Sequence, residues 1–268
     1  MKLILVHGIW QNTDKNTLKT LWISFIKTGF EKLNLDTKIL DKMDIDFVYY
    51  HDLHQKYKTP KKILNFKSSE QLLDPITLTA TELVYEFGEP EHIAVLEQSD
   101  LIPNKYTALK LLAKILDGSK MSVTLARIFA KEVYLYRSNE QYKNEVNQRF
   151  LDCLGYPSVV IGHSLGSIVT FNSLSNQDSL ISSYITLGSP LAGKTFSERV
   201  TPLVKPKCCK HDWANIHHEN DPVYIKNLKS MDKDYKISSK ASNPHYIATY
   251  LTHPTTAQVI YDALTKQQ

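Results

Sequence analysis

Residues 159–169 read VVIGHSLGSIV. The β-branched run Val159-Val160-Ile161 has the character of a strand buried on both faces. Apolar spacing resumes in a helical pattern at Ile168 and Val169, so the chain turns from strand to helix across Gly162-His163-Ser164-Leu165-Gly166. This is the G-x-S-x-G spacing. Such a turn holds its middle residue in a strained conformation, and side chains at the flanking positions would collide with neighbouring backbone. Glycines there relieve the collision and leave Ser164 projecting at the carboxyl edge of a sheet, where α/β folds bind ligands. A helix N-terminus beneath it favours developing negative charge. The pattern reads Ser164 as a nucleophile; the alternative is a tight structural turn in which Ser164 only caps the helix.

The rest of the chain supplies matching elements. Leu3-Ile4-Leu5-Val6 is a second short apolar run, ending at His7-Gly8. Residues 14–33 place Leu18, Leu21, Trp22, Phe25 and Ile26 at helical spacing, and 45–50 reads as a strand. Residues 55–70, QKYKTPKKILNFKSSE, are basic and aperiodic. From about 76 to 150 the pattern is helical, densest in apolar residues over 106–117 and 121–136. That block exceeds what a crossover between parallel strands requires. It predicts a helical cap inserted over about 66–140 within one domain spanning 1–268. The apolar faces of 106–136 read as core first and as a lipid-docking lid second. Beyond the serine, 184–187 and 213–217 read as strands, 191–211 as loop, 235–237 as a short last strand and 254–266 as a final helix. Strands alternating with helices predict an α/β fold with a mostly parallel central sheet flanked by helices.

Composition narrows the classes. The chain has 268 residues, 42% hydrophobic and 22% charged, with a net charge of +4. That balance is ordinary for a globular protein and gives no electrostatic footprint for nucleic acid. The three cysteines, Cys153, Cys208 and Cys209, form no disulfide framework, and no uncharged run reaches the roughly 20 residues of a membrane span. The opening MKLILVHG is short of a signal-peptide apolar core, so the expected location is cytoplasmic. The lysines of 56–67 read as a solvated face, with contact to a membrane surface as the alternative.

Four segments, VHGIW at 6–10, IGHSLGSIV at 161–169, TLGSPLA at 186–192 and WANIHHENDPV at 213–223 running on to NPHY at 243–246, resemble the α/β-hydrolase superfamily, in particular small serine esterases and lipases. The likeness follows element order along most of the chain and is vague over 51–150. Members usually carry two strands before the His-Gly strand, so the resemblance implies a trimmed version of that fold with a helical cap insertion. It implies a serine esterase or lipase without cofactor or metal, acting on a small-molecule or lipid ester.

The resemblance also implies an order of site residues: Ser, then Asp or Glu, then His. A serine hydroxyl needs a base within hydrogen-bond reach, and the base needs an orienting carboxylate. Of the histidines after Ser164, His211, His217 and His218 precede or abut the acid. His245, in a loop with an Asn243-Pro244 turn, is the favoured base, and His253 at the mouth of the last helix is its rival. Asp221, before Pro222 and after the 213–217 strand, is the favoured acid, with Glu219 as rival. Asp212 precedes that strand and falls at the wrong sheet edge. The oxyanion hole is assigned to the backbone N–H groups of Leu165 and, by the His-Gly likeness, Ile9. Trp10 and His163 are candidate walls of the substrate pocket, and His7 a support of its own loop. His217-His218-Glu219 lacks metal-ligand spacing. Ser189 in LGSPLA has no elbow and is a poor nucleophile. Other bonds open to the same residues are thioesters, amides and phospholipid esters, and a non-catalytic binding module on this fold is the other class.

Overall fold

A computed structural model describes residues 1–8, 13–57, 74–98, 105–117, 123–193, 203–224 and 231–266. In chain order its elements are β1 (Lys2–Val6), α1 (Lys15–Glu31), a 3₁₀ turn (Thr37–Lys42), β2 (Asp44–Val48), α2 (Leu53–Lys56), α3 (Pro75–Phe87), α4 (Pro90–Gln98), α5 (Lys105–Asp117), α6 (Val123–Ser138) and α7 (Glu140–Leu151). There follow β3 (Ser158–His163), α8 (Leu165–Leu174), β4 (Ser183–Leu187), β5 (Trp213–His218), β6 (Lys233–Ile237), α9 (Ile247–Leu251) and α10 (Pro254–Thr265). The fold is α/β, with a six-stranded sheet in the order β2-β1-β3-β4-β5-β6, every neighbouring pair parallel. The strand and helix positions expected from periodicity agree with these elements to within a few residues. Residues 203–211 form no named element apart from an isolated bridge of Ile181 with Cys209.

The chain divides into two compact units, one built of residues 1–50, 146–192 and 196–268, the other centred on His51–Glu145. In the first, strand residues alternate between two cores. Leu3, Leu5, Val159, Ile161, Ile185, Leu187 and Ile216 face one way, in a core with Trp22, Ile26 and Phe30 of α1 and Ala257 and Ile260 of α10. The opposite face carries Tyr184 and Trp213, and Phe171 of α8 packs its ring 5.4 Å from Trp213. β1, β3 and β4 are buried on both faces, which explains the unbroken apolar runs Leu3–Val6 of β1 and Val159–Ile161 of β3. β6, at the sheet edge, is largely exposed, so its apolar signal is weak.

In the second unit α3 packs against α5 and α6. Leu109 and Leu112 of α5 and Phe129 and Val133 of α6 are buried, so the apolar faces of 106–136 are largely spent as core. Asp74 caps α3 by accepting from the Ile76 and Thr77 N–H groups and pairs with Arg127 of α6 at 3.2 Å. Among the described residues no helix is long and apolar enough to cross a membrane. Of the lysine-rich stretch, Lys56 is described and pairs with Glu145 at 2.6 Å; Lys58, Lys61, Lys62 and Lys67 lie outside the described residues.

Candidate active site

The sheet order contains a switch of direction. From β1 the chain crosses to β2 on one side, while β3 lies on the other and leads away through β4 to β6. The segments leaving the carboxyl ends of β1 and β3 therefore diverge, the topological switch at which open α/β sheets bind ligands. Gly8 follows β1 and Ser164 follows β3, with Val6 opposite Gly162 in the ladder.

Ser164 lies between β3 and α8 with φ 53° and ψ −127°, a conformation that non-glycine residues rarely adopt. Its N–H donates to the Leu187 carbonyl at 3.0 Å. Its side chain makes no capping bond to the helix, so the cap reading of this serine does not describe it. The flanking glycines are required by close approach. A Cβ on Gly162 would lie 2.7 Å from Thr170 Oγ1, and one on Gly166 would meet the backbone carbonyls of Val6 and His7. A relay ties the turn to the 188–191 loop: Leu191 N–H to Ser189 Oγ at 3.3 Å, Ser189 to Ser167 Oγ at 2.7 Å, Ser167 to the Ser164 carbonyl at 2.6 Å. Ser189 is wholly buried in that relay.

The structure brings Ser164, His245 and Asp221 into one hydrogen-bonded chain. His245 Nε2 lies 2.9 Å from Ser164 Oγ, and His245 Nδ1 lies 2.8 Å from Asp221 Oδ2. Asp221 also accepts the Val223 N–H on Oδ1 at 2.9 Å and the Tyr250 hydroxyl on Oδ2 at 2.5 Å. Burial pushes its carboxyl up, but the facing His245 and these donors outweigh burial and hold it below the ordinary 3.8. The group is thus a carboxylate at neutral pH, able to fix the imidazole tautomer with its proton on Nδ1 and Nε2 free to accept.

The rivals are occupied elsewhere. His253 caps α10, accepting the Thr255 N–H at 3.2 Å. Glu219 faces Lys236 at 3.3 Å. Asp212, at the start of β5, pairs with Lys233 and Lys266 at 2.7 and 3.2 Å. His217 and His218 point to opposite faces: His217 bonds Asp234 at 3.1 Å, and His218 bonds Ser239 at 3.1 Å. No group of three or more His, Cys, Asp or Glu side chains suited to a metal occurs among the described residues.

Two further histidines brace the site. His163 is buried, its ring centroid 4.8 Å from that of His245, and its Nε2–H donates to the His245 carbonyl at 3.0 Å. Burial lowers its pKa to about 3, so it stays neutral. His7 is buried against Tyr50 at 4.2 Å; its Nδ1 donates to the Gly8 carbonyl and its Nε2 accepts the Tyr50 N–H at 3.2 Å. Leu165 opens α8, so its N–H has no intrahelical acceptor. Ile9 and Trp10 lie outside the described residues.

Tyr250, Gly188 and the Ser167–Ser189 relay escape the sequence reading. Tyr250 sits in IATYL with no motif about it, and only its place one short helix beyond His245 marks it. A search of protein-family models finds no match to the chain, and no curated protein matches it. The fold therefore stands at its architecture, an all-parallel six-stranded α/β sheet flanked by helices, and the site at its geometry.

Proposed function

We propose that this protein is a serine hydrolase of α/β-hydrolase type, cleaving carboxylic esters through an acyl-enzyme. The observation that carries the proposal is the chain Ser164–His245–Asp221, with links of 2.9 and 2.8 Å, ending on a serine held at positive φ. A structural turn has no need of an imidazole on its hydroxyl or a buried carboxylate behind that imidazole.

In this reading His245 Nε2 takes the Ser164 proton as Oγ attacks the ester carbonyl. Asp221 stabilises the imidazolium and remains ionised. The tetrahedral oxyanion is received by the Leu165 N–H, with Ile9 as the second donor implied by the resemblance. His245 then protonates the departing alcohol, leaving the acyl group on Ser164. A water deprotonated by His245 attacks that acyl carbonyl and restores the serine. The chain's own residues supply every proton transfer, and the reading calls for no cofactor or metal.

The test is hydrolysis of p-nitrophenyl esters of rising acyl length by wild type and Ser164→Ala. The expected result is a rate that falls by at least about 10³-fold in the variant, since loss of a triad member leaves only residual catalysis. Wild-type turnover of a matched thioester or amide at a higher kcat/KM would reassign the bond. Equal background rates for both proteins on every substrate would leave a binding module.

A further inference from the structure

Tyr250 is not part of the Ser164–His245–Asp221 chain, yet it touches its acid. The hydroxyl accepts the His218 N–H at 3.1 Å, which fixes the direction of its own O–H toward Asp221 Oδ2, 2.5 Å away. The same oxygen takes His245 Nδ1 at 2.8 Å. Gly188 closes the corner at φ 52°: a Cβ there would lie 2.7 Å from Asp221 Oδ2, 2.9 Å from the Tyr250 hydroxyl and 3.2 Å from His245 Nδ1. A glycine at that point lets the Asp221 carboxylate, the Tyr250 hydroxyl and the His245 ring converge.

We propose that Tyr250 is a positioning residue of the site, its hydroxyl holding Asp221 Oδ2 in line with the His245 ring and limiting the negative charge that the carboxylate presents to it. Two donors share one carboxylate oxygen, so each weakens the hold of the other. Without the hydroxyl, Oδ2 would serve the imidazole with its full charge, and the imidazolium form would gain. Among the described residues, the other titratable groups around the trio include His163 from the end of β3 with His7 behind it, His218 from β5 and Tyr224 from the turn after it. His163 stays neutral through the working range, and burial first, then Asp234, lifts Tyr224 to about 12, so neither adds a competing charge. Burial first, then Asp221, raises Tyr250 itself well above the ordinary tyrosine range, so it remains a donor.

The proposal rests on the hydrolase reading for its kinetic consequence but not for its physical one. Two variants test it: Tyr250→Phe, which deletes the hydroxyl at nearly constant shape, and Tyr250→3-fluorotyrosine, which keeps the shape and strengthens the donor. Two readouts are taken on each: kcat/KM for p-nitrophenyl acetate against pH, and the NMR titration of the His245 ring in ¹⁵N-histidine-labelled protein. In Tyr250→Phe the acid limb of the rate profile and the ring titration both move to higher pH, by about half to one unit, the scale of one hydrogen bond to a charge. In the fluorinated protein both move the other way. Should Tyr250→Phe fail to fold, the fluorinated protein, having native shape, decides alone. Unmoved profiles would overturn the proposal and leave Tyr250 as packing. If wild type hydrolyses no ester, a moving His245 titration still upholds the Tyr250 role while the hydrolase reading falls.

Discussion

Ser164 costs the fold something to hold. A non-glycine residue at positive φ of this kind is strained by about 1–3 kcal/mol, and surrounding structure must over-determine it. Here its N–H bonds Leu187, its carbonyl takes Ser167, and nearby Gly166 lies against the Val6 and His7 carbonyls at the end of β1. Gly166→Ala should therefore destabilise the protein by about 1–3 kcal/mol, as overpacking does, read as a lower urea midpoint; an unchanged midpoint would mean that the β1 backbone gives way easily. Asp221→Asn should keep the fold and lower kcat/KM by on the order of 10³–10⁴, because an amide in place of the carboxylate selects the wrong imidazole tautomer. At this scale Ser164, Asp221 and His245, which the structure joins by hydrogen bonds, were legible because glycines, proline and asparagine punctuate them and because the chain order implied by the resemblance set aside His211, His217 and His218, while His253 and Glu219 stayed open. Tyr250 was not, since an aromatic in a short apolar helix looks the same whether its hydroxyl is idle or bonded.

The elements owe their ends to identifiable side chains. Asp14 caps α1 through the Asn16 and Thr17 N–H groups, and Asp74 caps α3 while holding Arg127 on α6. Asp74→Ala should cost about 1–2 kcal/mol, more than a cap alone at the low end of the range, because Arg127 loses its carboxylate as well; Asp74→Asn should recover part of it. Urea unfolding of the three proteins measures the difference. Trp22 of α1 is buried edge-on to Phe47 at 5.3 Å and to His163 at 6.2 Å, so it links the α1 face to the histidine that braces His245. Strand positions were legible where both faces are buried, and β6 was seen only as a short fragment because four of its five residues are not buried. The helices of 75–151 were legible as helices from their periodicity. Their pairing was not, because single-sequence periodicity gives each apolar face without its partner.

Strand order is a property of the whole molecule and has no local signature. The sequence yielded a mostly parallel sheet; the placement of β1 between β2 and β3, which sets Gly8 beside Ser164, emerges only from the pairing. Stability should also depend on pH in a definite direction. Burial depresses His163 from 6.5 to about 3 and His54 from 6.5 to about 4, and the Asp221 carboxyl is held below 3.8. Below pH 6.5 the unfolded chain binds protons that the folded protein refuses, so the histidine contribution is full above 6.5 and is lost as pH falls toward 4 and then 3. The Asp221 contribution, present above 3.8, is lost at still lower pH. The urea midpoint should be level from pH 8 to 7 and fall steadily on acidification, with a shallower fall in His163→Gln; a midpoint that held level to pH 4 would contradict this.

The claim on which the account turns is that Ser164 is an activated nucleophile. The direct measurement is covalent labelling of wild type and Ser164→Ala with a fluorophosphonate, followed by mass mapping of the modified peptide. A single adduct on Ser164 in wild type and none in the variant is the expected result. An adduct on another serine, or labelling that survives in Ser164→Ala, would contradict it.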